Sequence, residues 1–158
     1  MVNLYEQIDA NKRKTVIITV LFVVFISFVG WIFSEASGNG FSFHPFALLL
    51  SSGSALASYY WGDKFILSLS SAHQADKNKD KLFYQATENL CLGTGLPVPR
   101  LYIIEDTATN AFAAGRDPQH AIVCITRGLL DKLDRSELEG VIAHELSHVN
   151  NYVMRLMT

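Results

Sequence analysis

Two long stretches without Asp, Glu, Lys or Arg set the strongest limit on how this chain folds. The first, Thr15 to Phe33, has nineteen residues, and as a helix it would extend about 28 Å, close to the hydrocarbon thickness of a bilayer. The second, Phe43 to Trp61, is equally long but contains four serines. We predict transmembrane helices at about residues 15–33 and 43–61. Gly53, which lies among those serines, would allow close packing between the helices.

A cleaved signal peptide is the alternative for the first stretch. Its apolar run is longer than the usual core of such a signal, and Phe25 to Trp31 contains no small-x-small cleavage pattern. The stretch therefore favours a retained membrane helix.

The positive residues predict how these helices are oriented. The loop between them, Ser34 to Phe41, has no Lys or Arg, and positive residues concentrate on the cytoplasmic side of a membrane. The outer flanks carry Lys12, Arg13, Lys14, Lys64, Lys77, Lys79 and Lys81. We therefore predict a multi-pass hairpin anchor, residues 1–68, whose N-terminus shares the cytoplasmic side with everything beyond residue 62.

Charge and cysteine usage narrow the class of protein. A net charge of −2 and scattered basic residues argue against a nucleic-acid partner. Cys91 and Cys124 are far apart in apolar sequence, so buried reduced thiols fit better than a disulfide or zinc ligands. This usage indicates a reducing compartment.

The remainder, residues 76–158, has the pattern of an α+β domain. Apolar residues at helical spacing predict a helix at 81–92 that ends at Gly93 and Gly95. The elements predicted after it are strands at 101–104 and 121–125, an extended segment at 110–114 between them, and a helical segment at 128–133. The domain is thus a helix, a small sheet and a last helix.

The last helix has a clear start signal. Asp134 is a suitable N-cap that Glu137 would complete as a capping box, with Ser136 and Glu139 as the alternative register. Gly140, inside the helix, favours close approach by another backbone. The apolar stripe that would seat the helix in a core consists of Leu138, Val141, Ile142, Leu146 and Val149.

This helix would carry His144-Glu145-Leu146-Ser147-His148. Positions i and i+4 project from one helix face, so one metal ion can bind both rings. Zinc prefers neutral imidazole nitrogens, and a catalytic zinc has three protein ligands and an open position for water. We predict His144 and His148 as ligands of one zinc ion per subunit. Glu145 is then the base that takes a proton from the attacking water.

The alternative for these histidines is two solvated rings on an amphipathic helix. His120, at the start of a predicted strand, is interpreted as a surface residue rather than a third ligand. Nothing in its spacing argues that it reaches the helix.

The order of these features resembles the HtpX-type membrane zinc endopeptidases, bacterial relatives of the CAAX prenyl proteases. The resemblance rests on two membrane spans, the segment Leu96 to Ile104, the segment Asn110-Ala111-Phe112-Ala113-Ala114-Gly115, a strand, and His144 to His148. It implies a gluzincin-type domain in the bacterial inner membrane. It also implies a stress-response role in degrading damaged membrane proteins.

The resemblance assigns the first two zinc ligands to His144 and His148 and the catalytic base to Glu145. The third ligand, a glutamate on a later helix, is expected beyond Thr158, so the sequence is a fragment or is incomplete as an enzyme. The family also has an acidic residue where this chain has Val153. Loss of an orienting carboxylate would weaken metal binding by about one to two orders of magnitude.

The resemblance also implies a substrate site. Asn110, Ala111, Phe112 and Ala113 match an edge strand on which an extended substrate is laid, a mode of binding that tolerates many side chains. Without the resemblance, this segment would be an ordinary turn before a strand.

Three functional hypotheses follow. The first is a membrane-bound zinc endopeptidase that cleaves membrane-protein or polypeptide substrates beside the lipid bilayer. The second is a processing peptidase for prenylated or otherwise lipidated C-termini. The third is a non-catalytic membrane protein, or a catalytically incomplete fragment, that binds partners without cleaving them.

Overall fold

The structure, a computed structural model, describes residues 4–38 and 44–150. It begins with two long helices and continues into a mixed sheet with helices packed on it. The elements are α1 (Leu4–Ala36), α2 (His44–Leu69), β1 (His73–Gln74), α3 (Lys81–Thr94), β2 (Arg100–Ile104), β3 (Ala111–Ala114), a 3-10 turn (Pro118–His120), β4 (Ile122–Thr126), α4 (Arg127–Leu130) and α5 (Arg135–Asn150).

The first two helices contact each other near the connection between them. Gly30 of α1 lies against Ala47 of α2, and a side chain at Gly30 would overlap the Ala47 methyl group. Gly53, which we predicted to allow close packing, has no atom of the described residues within 4 Å of the place where its Cβ would lie. That prediction was wrong, because a small residue permits close approach only where a second backbone actually passes.

One helix in the described part of the chain is long and apolar enough to cross a membrane, Ile8–Ala36. Its Leu21 and Phe25 side chains are each 61% exposed, which leaves an apolar surface suited to lipid. α2 covers the second predicted span as one continuous helix, but its serines and the Asp63-Lys64 pair dilute its hydropathy. Its crossing of the membrane stays a prediction.

The sheet has the strand order β1-β2-β4-β3. The two central strands are parallel, while β1 and β3 pair antiparallel with their neighbours. The sequence gives no signal for β1, because it is only two residues long. β3 is left at an edge of the sheet, beside β4.

Apolar side chains from helices cover both faces of the sheet. On one face α3 and α5 pack through Phe83, Leu138 and Ile142, which are at most 1% exposed. On the other face Leu67, in the last turns of α2, packs against Ile122 and neighbouring residues. The α+β prediction is confirmed, and the sheet is joined to the second helix by an apolar contact.

The two cysteines lie inside this core as free thiols. Burial raises the pKa of the Cys124 thiol to about 12 and also raises the pKa of Cys91. Both side chains therefore stay protonated near neutral pH and are poor metal ligands. The prediction of buried, unbridged cysteines is confirmed.

A charged cluster closes the end of the sheet where β2 and β4 finish. Arg127 donates to the Asp80 carboxylate at 2.7 Å and to Glu105 at 3.0 Å. The Asp80 side chain is only 3% exposed and also accepts from the backbone N–H of Asp76 at 2.9 Å. The hydrogen bond from Arg127 lowers the pKa of Glu105, and both carboxylates raise the pKa of Arg127. The cluster links α3, β2 and β4.

We expect Arg127→Ala to lower the free energy of unfolding by about 3 kcal/mol, because it leaves the buried Asp80 carboxylate without its cation. Urea unfolding in detergent, followed by circular dichroism, measures the change. Arg135→Ala is the matched control: it removes an exposed helical pair with Glu139, worth less than about 0.5 kcal/mol. Equal effects of the two variants would contradict a structural role for the cluster.

Candidate metal centre and substrate edge

The helix that carries the histidines, α5, begins with the predicted capping box. The Asp134 carboxylate accepts from the backbone N–H of Glu137 at 2.8 Å, and the Glu137 carboxylate accepts from the N–H of Asp134 at 3.0 Å. The first of these bonds lowers the pKa of Asp134. The Asp134 register is confirmed, although Ser136 also donates to Asp134, at 2.8 Å.

Its apolar stripe anchors the helix as predicted. Leu138, Ile142, Leu146 and Val149 are at most 2% exposed and belong to the core between the sheet, α3 and α5. Gly140, in contrast, has no neighbour within 4 Å of its Cβ position among residues 4–38 and 44–150, so the predicted backbone approach is wrong there. With one side of α5 fixed in the core, the opposite side is presented in a defined orientation.

That side brings His144 and His148 together. Their Nε2 atoms are 3.2 Å apart and their ring centroids 4.7 Å apart. Two nitrogens bound to one tetrahedral zinc, each at about 2.0–2.1 Å, lie about 3.3 Å from each other. The same separation suits a hydrogen bond between one protonated and one unprotonated Nε2. The two Nε2 atoms can therefore share either a proton or a metal ion with little movement of the rings.

Glu145 follows the first histidine and is half-buried. In the part of the chain that the structure describes, no hydrogen bond or ion pair occupies its carboxylate. Those residues also contain no group of three His, Cys, Asp or Glu side chains that would complete a metal site. Val153, at the position where an acidic residue was expected, lies outside the described residues. The described site is thus two convergent imidazoles with one uncommitted carboxylate beside them.

His120 is not part of this arrangement. It ends the 3-10 turn, is exposed, and its Nδ1 lies 2.7 Å from an oxygen of Asp117. Burial acts to raise the pKa of Asp117, but the hydrogen bonds from His120 outweigh it, and the net shift is downward. The interpretation of His120 as a surface residue is confirmed.

The predicted substrate segment forms the edge strand β3, which contacts α5. Its residues Ala111 to Ala114 pair with β4, and just before them the Asn110 carbonyl accepts from the N–H of Thr126 at 3.0 Å. Because hydrogen-bonded residues alternate along an antiparallel pair, Phe112 bonds inward like Asn110. Ala111 and Ala113 therefore direct their backbone N–H and C=O groups away from β4. Within the described ranges, no strand pairs with that side.

A side chain that we did not single out from the sequence positions this strand. The Thr126 hydroxyl, in a residue only 5% exposed, donates to the Ala108 carbonyl at 2.6 Å and accepts from the N–H of Asn110 at 3.0 Å. Next to it, a side chain at Gly128 would overlap the carbonyl of Thr107. These contacts hold the turn that leads into β3. Their partners are sixteen or more residues apart in sequence, so no local pattern reveals them.

Comparisons with known proteins agree with this geometry. A model of peptidase family M48 matches residues 77–158, just over half of the chain. The relatives it resembles include proteins described as protease HtpX homologs: one from Tropheryma whipplei strain Twist is 43% identical over 98% of this chain and 53% of its own length. Those from Dictyoglomus thermophilum and Listeria monocytogenes serotype 4b are 40% and 36% identical, again over 98% of this chain but only 51% and 52% of theirs.

The chain thus spans about half the length of the curated relatives it matches. The matched region contains strands β2 and β4, the edge strand β3 and the helix with His144 and His148. The chain belongs to peptidase family M48.

Proposed function

We propose that this chain carries the metal-binding helix and the substrate edge of a membrane-anchored zinc endopeptidase. The observation that supports this most strongly is the 3.2 Å separation of the Nε2 atoms of His144 and His148 on a helix fixed by its buried face. The family match and the names of the relatives point to the same activity. A third metal ligand would come from outside the described residues.

In this proposal His144 and His148 hold the zinc ion through their Nε2 atoms, and Glu145 handles protons. When bound, zinc supplies Lewis acidity toward the scissile carbonyl and toward water. The Glu145 carboxylate accepts a proton as water attacks and returns it to the leaving amine. A carboxylate without a fixed partner suits this role, because it is free to change its hydrogen-bond donor during the reaction.

The substrate would bind as an added strand along β3. Ala111 and Ala113 offer backbone donors and acceptors at the open side, and their small side chains face the core that includes α5. Recognition through the backbone gives broad tolerance for side chains. Such tolerance suits a protease that degrades damaged membrane proteins of varied sequence, which is the role we propose.

The proposed location is the bacterial inner membrane, with α1 and α2 crossing as a hairpin and the sheet in the cytoplasm. Three observations support this topology. α1 is apolar enough to cross a membrane, α1 and α2 contact each other, and positive residues flank the pair on both outer sides. Leu67 and Asp63 of α2 then connect the anchor directly to the soluble domain.

The test uses the full-length protein with an unlipidated model peptide and its variants methylated at one backbone nitrogen at a time. We expect internal cleavage that a zinc chelator stops. We also expect methylation at every second position to raise KM about fivefold, since each methyl group removes a hydrogen bond worth roughly 1 kcal/mol. Methylation at the positions between them should change KM little.

Mass spectrometry of the products identifies the cleaved bond and separates the hypotheses. Cleavage confined to lipidated C-termini would favour a processing peptidase instead. A methylation profile without alternation would contradict substrate binding along β3, and would do so even if the peptide is cleaved.

A further inference from the structure

One apolar surface of the sheet-containing domain lies largely outside its core, with only Leu96 packed against it. The segment Asn89 to Pro99 contains no charged residue, yet Leu92 is 83% exposed and Val98 is 49% exposed. Between them lie Leu96, which is half-buried, and Pro97, which is exposed. We call Leu92, Leu96, Pro97 and Val98 the α3–β2 surface.

The direction of β2 shows which end of the domain carries this surface. The strand begins at Arg100, whose guanidinium donates to Asp63 of α2 at 2.7 Å. It continues to Ile103, which pairs with His73, four residues after the end of α2. β2 and the last turns of α2 therefore run in the same direction. The residues that precede Arg100 lie at the Asp63 end, where α2 leaves its predicted span.

Two further contacts agree with this placement. α3 begins at the opposite end of the sheet, because Asp80 before it bonds to Arg127 at the end of β4. Its last turn, with Leu92, is therefore at the same end as Arg100. At this end the Arg116 guanidinium also lies 5.3 Å from the centre of the Tyr60 ring.

The residues around the α3–β2 surface suit the boundary of a bilayer. Tyr60 and Trp61 are 52% and 57% exposed at the end of the predicted span, and such aromatic residues favour the membrane interface. Lys64 adds positive charge near the anionic headgroups of a cytoplasmic leaflet. Arg100 and Arg116 lie at the same end, each paired with a carboxylate, Asp63 and Asp117. Exposed apolar side chains beside cations are typical of protein surfaces that rest in lipid.

We propose that the α3–β2 surface inserts Leu92 and Val98 into the interface of the bilayer that α1 and α2 cross. The inference rests on the proposed membrane topology, but it does not depend on proteolysis. It adds a third point of membrane contact to the two helices. The soluble domain is thereby held against the membrane in one orientation.

The experiment places an environment-sensitive fluorophore on single cysteines in the full-length protein in phosphatidylcholine–phosphatidylglycerol vesicles. The labelled variants are Leu92→Cys and Val98→Cys. Leu82→Cys is the matched control, since it is a partly exposed leucine at the other end of α3. Leu49→Cys, on an exposed position of α2, reports on the span itself. The unsubstituted full-length protein gives the labelling background, to which the buried Cys91 and Cys124 should add little.

Lipids with a nitroxide near the headgroup should quench the labels at Leu92 and Val98 at least about twofold more than the label at Leu82. Lipids with a deep nitroxide should quench the label at Leu49. Quenching at Leu92 and Val98 no stronger than at Leu82, with Leu49 quenched, would overturn this proposal alone. Absence of quenching at Leu49 would overturn the membrane topology and this proposal with it.

Discussion

Replacing Glu145 by glutamine should reduce peptide hydrolysis by about 100- to 10,000-fold, the usual contribution of a positioned general base. Glutamine keeps the size and polarity of the side chain but cannot accept the proton of the attacking water. The variant should still fold, because the buried face of α5 is formed by Leu138, Ile142 and Leu146. It should also retain its zinc, since Glu145 is not a proposed ligand. Initial rates of peptide cleavage and zinc content by mass spectrometry measure both effects.

Glu139→Gln is the matched control for this prediction. Glu139 lies on the same helix and pairs with the exposed Arg135 at 3.0 Å, away from the histidines. Its replacement removes the same charge from α5, so the general electrostatic effect is equal. Hydrolysis within about twofold of the natural protein is expected for Glu139→Gln. Full activity of Glu145→Gln would refute the assignment of Glu145 as the base.

Replacing His148 by alanine should lower zinc affinity by more than about 100-fold, because removal of a direct ligand costs at least as much as loss of a residue that orients one. In the natural protein the His148 Nε2 atom lies 3.2 Å from that of His144. Without it, the His144 ring would hold the ion alone among the two histidines. Hydrolysis should fall with zinc occupancy. Competition with a fluorescent chelator measures the affinity, and peptide cleavage at several zinc concentrations measures the activity.

His120→Ala is the control, since His120 is an exposed histidine that bonds to Asp117 and lies outside the pair. It should leave zinc affinity unchanged. An unchanged zinc affinity in His148→Ala, or an equal loss in both variants, would contradict the pairing of His144 with His148.

Features that depend on residues close together in the sequence could be predicted. The capping box needs only Asp134 and Glu137, and the meeting of His144 and His148 needs only the period of a helix. β3 appeared as an extended segment, but its position at the sheet edge came from the resemblance and not from spacing. The uncharged stretches predicted both long helices because a long apolar run has few other stable environments.

Features that depend on distant partners could not be predicted. Thr126 positions the turn before β3 through Ala108 and Asn110, and Arg127 reaches Asp80 across 47 positions of sequence. The two wrong predictions, at Gly53 and Gly140, have the same origin. A glycine shows that close approach is permitted, whereas the path of the second backbone is decided by the whole fold.

The zinc K-edge X-ray absorption spectrum of the full-length protein tests the central claim most directly, because it reports the atoms bound to the ion. The proposed site predicts imidazole scattering from two nitrogens at about 2.0–2.1 Å in the natural protein. It also predicts that one imidazole is lost in His148→Ala. A shell dominated by sulfur, or imidazole scattering that persists after both His144 and His148 are replaced, would contradict it.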